Sequence, residues 1–158
     1  MPNDDMPGTY VVDKSQWPRG PWDDEPDRIE FRHAGLPCLM ARHPRWGNWC
    51  GYAAVPPGHP LHGRGWRDLD AADLLDANVN YSAGCGGLIC HVPAAGEPDD
   101  VWWFGCDFGH AFDFQPGMDA ELPPEMRGAI SEMQTYRDQL YVRHVVERMA
   151  EQLAGVTA

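Results

Sequence analysis

Val142, Val145, Val146, Met149 and Leu153 recur at helical spacing near the C-terminus. This stripe is the strongest periodic signal in the chain. It demands an apolar surface to cover it, because most of the stability of an amphipathic helix comes from tertiary packing. Thr135, with Asp138 three residues on, reads as a capping box at its start, and Gly155 as its stop. Glu125–Met133 reads as a weaker helical segment before it. The covering surface has to come from the short apolar runs upstream.

Those runs read as strands. Arg28–His33 alternates, with Ile29 and Phe31 on one face, and Ala34-Gly35-Leu36-Pro37 punctuates it. Cys38–Arg42 then predicts the second arm of a hairpin, and Trp49–Val55 a third, more central strand. The proline- and glycine-rich stretch after Val55 is loop, and Asp68–Asp76 carries a short helical pattern. Asn78–Ser82 and Leu88–Val92 flank a glycine-rich turn, and Val101–Asp107 is a further, unusually aromatic strand. Phe108 to Pro124 reads as loop. The expectation is an α+β fold: a mostly antiparallel sheet of about five or six strands with the C-terminal helix on one face. Residues 1–27 read as an irregular arm anchored by Trp17 and Trp22, and residues 28–155 as a single domain.

The charge balance narrows the partners. With 24 acidic and 12 basic residues the net charge is −12, which repels nucleic-acid backbones and anionic membranes. The arginines form scattered pairs rather than a basic patch, so direct nucleic-acid binding is not expected. Asp23–Asp27, Asp68–Asp76 and Glu97–Asp100 are the acidic runs that would face a basic protein, if they are more than solvated loops. No stretch approaches the roughly 20 apolar residues of a membrane span. The N-terminal residues lack the pattern of a signal peptide. An odd count of five cysteines without a C-x-x-C pair predicts free thiols in a reducing cytosol.

Two patterns have metal-ligand spacing. His59 and His62 lie three apart on a Pro/Gly-fixed loop; Asp107-x-x-His110-x-x-Asp113 follows the aromatic strand. The competing readings are exposed loop histidines and a polar turn satisfying backbone N–H groups. Cys85, held between glycines, is a candidate thiolate ligand or nucleophile, against a small residue filling a tight turn. The expectation is that His59, His62, Cys85, Asp107 and His110 converge on one ion with Asp113 nearby. Zinc suits that donor set, with iron or manganese if Cys85 stays outside. Neither a nucleophile-elbow serine nor a phosphate-binding glycine loop occurs. Trp102, Trp103 and Phe104 alternate faces as strand neighbours, so at most one face of that triplet lines a pocket.

The matching segments His59–Gly63, Gly86–Leu88, Trp102–His110 and Tyr136–Ala154 resemble an uncharacterised family of small proteins found in phages and other mobile elements. The resemblance spans about residues 26–154. Asp113 matches an aspartate of the motif, whereas Cys85 stands where relatives carry histidine, an exchange that retains a metal ligand. The resemblance implies a phage-type accessory protein in the host cytosol. Such a protein would bind a host defence component or a small, nucleotide-like signalling ligand. The alternative is a metal-dependent hydrolase of phosphoesters or nucleotides, with Asp113 as general base.

Overall fold

In the computed structural model, which describes residues 10–157, the five strands β1 (Arg28–His33), β2 (Leu36–Arg42), β3 (Trp49–Val55), β4 (Tyr81–Gly84) and β5 (Trp102–Asp107) form one antiparallel sheet. Their order is β1-β2-β3-β5-β4. The helices are α1 (Trp66–Ala71), α2 (Pro116–Glu121), α3 (Pro124–Ser131) and α4 (Gln139–Ala154). The expected α+β fold is therefore present, with α4 packed on β2 and β3. Among the described residues Leu88–Val92 is not a strand; it makes a single bridge, Gly86 with Ile89. Pro116–Glu121 is a helix where the prolines suggested loop, because Pro116 sits at its first turn, where the missing N–H costs nothing.

The β1–β2 hairpin closes on Ala34 and Gly35, with φ of 52° and 79°. Both central residues thus lie in the left-handed region that a two-residue hairpin turn matching strand twist requires. Strand alternation then sorts the core. Met40, Trp49, Ala53, Val55, Phe104 and Cys106 point to the face covered by α4. Leu39, Ala54 and Trp103 point to the other, together with Val101. Trp102 and Trp103 thus part company, as alternation requires. β3 lies close against α4 at Gly51, where an added Cβ would stand 2.5 Å from Val146 Cγ2.

The segment after β4 crosses the second face and is tied to β1. Arg28 Nη2 donates to the Cys90 carbonyl at 2.5 Å, the Val92 N–H to Glu30 at 3.2 Å, and Arg32 pairs with Glu97 at 2.8 Å. Ile89 packs beside Trp103 beneath it.

The described part of the arm, residues 10–27, is pinned more firmly than two tryptophans imply. Trp22 is buried; it stacks on Phe114 and meets Tyr136 edge to face. Asp27 is also buried, which removes it, and Glu25 with it, from the acidic surface expected over Asp23–Asp27. Residues 1–9, including most of the segment read for a signal peptide, lie outside the described residues. No helix of the described chain is long and apolar enough to cross a membrane.

Candidate functional site

A cleft of about 570 Å³ opens between the end of β5 with its following loop and the solvent side of α4. Its loop wall carries Asp107, His110, Phe112 and Asp113, and the opposite wall Tyr141, His144 and Arg148 of α4 with Arg137 just ahead of the helix. The loop wall is built locally. The Asp113 N–H donates to the His110 carbonyl at 2.9 Å, and the His110 N–H returns to Asp113 Oδ2 at 3.0 Å. His110 Nδ1 lies 3.1 Å from the same oxygen, and its Nε2 3.5 Å from Asp107 Oδ1. The sequence pattern Asp107-x-x-His110-x-x-Asp113 therefore does gather its side chains around one imidazole. The loop is fastened to the start of α4 by backbone bonds from Phe114 to Thr135 and from Thr135 to Phe112, at 2.9 and 2.8 Å. Thr135 is thus a bridge residue; the helix N-cap is Asp138, which accepts from the Tyr141 N–H at 2.9 Å.

Asp113 is buried, and both of its oxygens are engaged, the second by Arg137 Nε at 3.0 Å. Arg137 also lies over the Tyr141 ring at 4.7 Å. Phe112 and Tyr141 are 68% and 44% exposed, an unusual state for rings lining a concavity. Arg148 pairs with two exposed acids, Asp76 at 3.1 Å and Glu151 at 3.8 Å, and His144 stands open to solvent. Tyr141, His144 and Arg148 recur at steps of three and four along α4, and Arg137, just ahead of the N-cap, reaches the same cleft, so residues that look scattered in the sequence share one wall.

The other expected ligands go elsewhere. His59 Nδ1 accepts from the Leu61 N–H at 3.0 Å, and its Nε2–H donates to the Leu153 carbonyl at 2.8 Å. It thereby caps the last turn of α4, where carbonyls lack helical partners. His62 Nε2 donates to the Asp100 carbonyl at 2.7 Å. Cys85 is disulfide-bonded to Cys90, which corrects the expectation of five free thiols. His59, His62, Cys85, Asp107 and His110 thus do not meet at one ion. Loop composition specified neither the direction of each imidazole nor the carbonyl it would find.

Among the described residues, the group whose donor atoms do meet is Cys85, Cys90 and His91, all within 4.8 Å of one another. Cys90 and His91 escaped the sequence reading. The available signal was the glycine-rich turn, which folds Gly86 against Ile89 and so sets residues 85 and 90 opposite each other. Both ring nitrogens of His91 are buried without a hydrogen-bond partner. Burial lowers its pKa, outweighing nearby acids such as Glu30. The remaining thiols, Cys38, Cys50 and Cys106, are each pushed up to about 12, chiefly by burial, and are poor nucleophiles. Comparison of the chain with protein-family models, with curated proteins and with solved structures finds no match.

Proposed function

We propose that the chain is a small binding protein of the phage-accessory type, acting in the host cytosol, whose cleft captures a nucleotide-like signalling ligand of host defence. The cleft itself carries the reading. Its volume, about 570 Å³, falls within the range of small-molecule sites. Phe112 and Tyr141 offer exposed ring surface for a base. Arg148 offers a guanidinium, and His144 an exposed ring nitrogen, to hydrogen-bond a phosphate. The pair of Arg148 with Asp76 is exposed and screened by solvent, so exchanging that carboxylate for a phosphate costs little. In a chain of net charge −12, the guanidinium of Arg148 is the group of the cleft that would meet an anion.

Capture rather than hydrolysis is favoured by Asp113. As the general base of a hydrolase it would need a free oxygen, and both of its oxygens are held by His110 and Arg137. For a metal we propose zinc, at Cys85, Cys90 and His91 once the Cys85–Cys90 disulfide is reduced, since thiolate and imidazole donors suit it. Calorimetric titration with nucleoside monophosphates and cyclic dinucleotides tests the reading. Saturable binding is expected, weakened at least about tenfold by Arg148→Ala or Phe112→Ala. If wild-type protein binds none of these probes, or if the two variants bind as well as wild type, the cleft is not a nucleotide site. A host protein whose capture is abolished by the same variants would transfer the cleft to a protein partner.

A further inference from the structure

The turn between β4 and the segment crossing the second face is a two-residue hairpin in miniature. Gly86 and Ile89 exchange both backbone hydrogen bonds, each at 3.1 Å, around Gly87 and Leu88. The next pair outward, Cys85 and Cys90, must then be a non-hydrogen-bonded pair, the closer kind in an antiparallel ladder. Their Cα atoms are 4.7 Å apart, in keeping with that geometry. The backbone alone therefore places two sulfurs on one face. His91 follows directly, with its ring edge-on to Trp103 at 5.7 Å between centroids. Trp103 Nε1 donates to Cys85 Sγ at 3.3 Å.

We propose that this hairpin is a redox-gated metal site: Cys85, Cys90 and His91 bind one zinc ion when the Cys85–Cys90 disulfide is reduced, and release it when the disulfide forms. The inference deepens the zinc assignment above and is independent of the cleft. Three features support it beyond donor proximity. Both imidazole nitrogens of His91 are buried and orphaned, a state that is costly unless a partner arrives. The Trp103 N–H points at Cys85 sulfur, where it stabilises a thiolate more than a thioether-like disulfide sulfur. Cys85 is exposed while Cys90 and His91 are partly buried, so an attacking thiolate has a route to one sulfur of the bond.

The chemistry balances with a dithiol reductant as co-reactant. Its thiolate attacks Cys85 sulfur and expels Cys90 thiolate; its second thiol closes on the mixed disulfide and expels Cys85. Two electrons and two protons pass to the protein, and the reductant leaves as a cyclic disulfide. Zinc then replaces the two thiol protons, while neutral His91 supplies the third ligand. Three protein ligands leave one tetrahedral position for water or a partner's donor. Bonds of about 2.3 Å to each sulfur separate the two sulfurs to roughly 3.8 Å in a tetrahedral site, within reach of side-chain rotation on fixed Cα positions. Reoxidation by a small disulfide reverses the sequence and ejects the ion.

The test compares one protein in two redox states. Wild-type protein, either oxidised or reduced with a phosphine and desalted without oxygen, is titrated with Zn²⁺ against a chromogenic chelator. Cobalt serves as the optical probe through its thiolate charge-transfer band. The expected result is one equivalent bound to the reduced protein, with the cobalt band, and at least about a hundredfold weaker binding to the oxidised protein. His91→Gln should weaken the reduced form about 10- to 100-fold while still forming the disulfide. Absence of zinc binding in both states overturns the gate and the zinc assignment together. Equal binding in both states overturns the gate and moves zinc off Cys85, Cys90 and His91. Unchanged affinity in His91→Gln overturns the three-donor site. The comparison of redox states needs no variant, so misfolding of a mutant leaves it decisive.

Discussion

Arg42 Nε donates to Asp27 Oδ1 at 2.7 Å, with the two side chains 0% and 4% exposed. The same guanidinium reaches Glu25 at 3.1 Å, the Tyr136 hydroxyl at 2.9 Å and the Gly47 carbonyl at 2.8 Å, and lies over the Trp49 ring. Glu25 in turn accepts from the Gln139 N–H at 2.8 Å, at the first residue of α4. One buried charge therefore joins the arm, β2 and the start of the helix. Arg42→Ala strands two acids in that site and is expected to cost about 3–5 kcal/mol in urea unfolding. Arg42→Lys should recover only part, because an ammonium cannot reproduce the planar fork. A loss below about 1 kcal/mol for Arg42→Ala would contradict this account.

The same site sets an acid limit. Burial raises the Asp27 pKa, but hydrogen bonds from Lys14, the Val12 N–H and Arg42 outweigh it, and the net shift is downward. The folded pKa therefore lies below the unfolded value of about 3.9. The stabilisation is complete above that unfolded value and is lost as pH falls through the folded pKa. Thermal unfolding followed from pH 5 downward should show the melting temperature dropping below about pH 4. Asp27→Asn should lower stability at pH 6 and flatten the drop. An unchanged slope in the variant would assign acid sensitivity to other carboxylates.

Gly51 is the point where α4 rests on β3. A Cβ there would stand 2.5 Å from Val146 Cγ2 and 3.5 Å from Val142 Cγ1. Gly51→Ala is expected to destabilise by about 1–3 kcal/mol through overpacking. Adding Val146→Ala should restore part of the loss, a coupling that a double-mutant cycle reads directly. Strict additivity of the two changes would show that the helix shifts rather than clashes.

Cysteine reactivity should divide the chain cleanly. In the oxidised protein no cysteine should alkylate rapidly at neutral pH. After reduction two should, Cys85 and Cys90, while Cys38, Cys50 and Cys106 stay unmodified until unfolding because burial holds their thiols near 12. Mass spectrometry of labelled peptides checks both counts. Rapid labelling of Cys106, which lines the cleft beside Asp107, would mean that the cleft opens further in solution.

His59 separates a capping role from a ligating one. Removing its bond to the Leu153 carbonyl should cost about 0.5–1.5 kcal/mol. His59→Ala should leave zinc affinity of the reduced protein unchanged. A loss of zinc affinity in this variant would bring His59 back among the ligands.

Local order was legible where spacing within a few residues decides geometry. Arg28–His33 and Trp49–Val55 are strands over the limits that alternation in the first and apolar content in the second implied, and the valine–methionine–leucine stripe of α4 packs as a period of 3.6 demands. Asp107, His110 and Asp113 came together for the same reason, since one turn of chain holds them. Tertiary structure alone decided the rest. His59 and His62 each found a backbone carbonyl from a segment about 94 and 38 positions away, and no local pattern encodes that choice. Arg42 looks like a surface arginine until the arm folds over it. Arg137 and Arg148 form a wall only because α4 lies beside the loop after β5. Side-chain type and spacing restrict what a residue is able to contact. Which contact forms depends on where the packing of distant apolar faces carries the backbone, and that is a property of the whole fold.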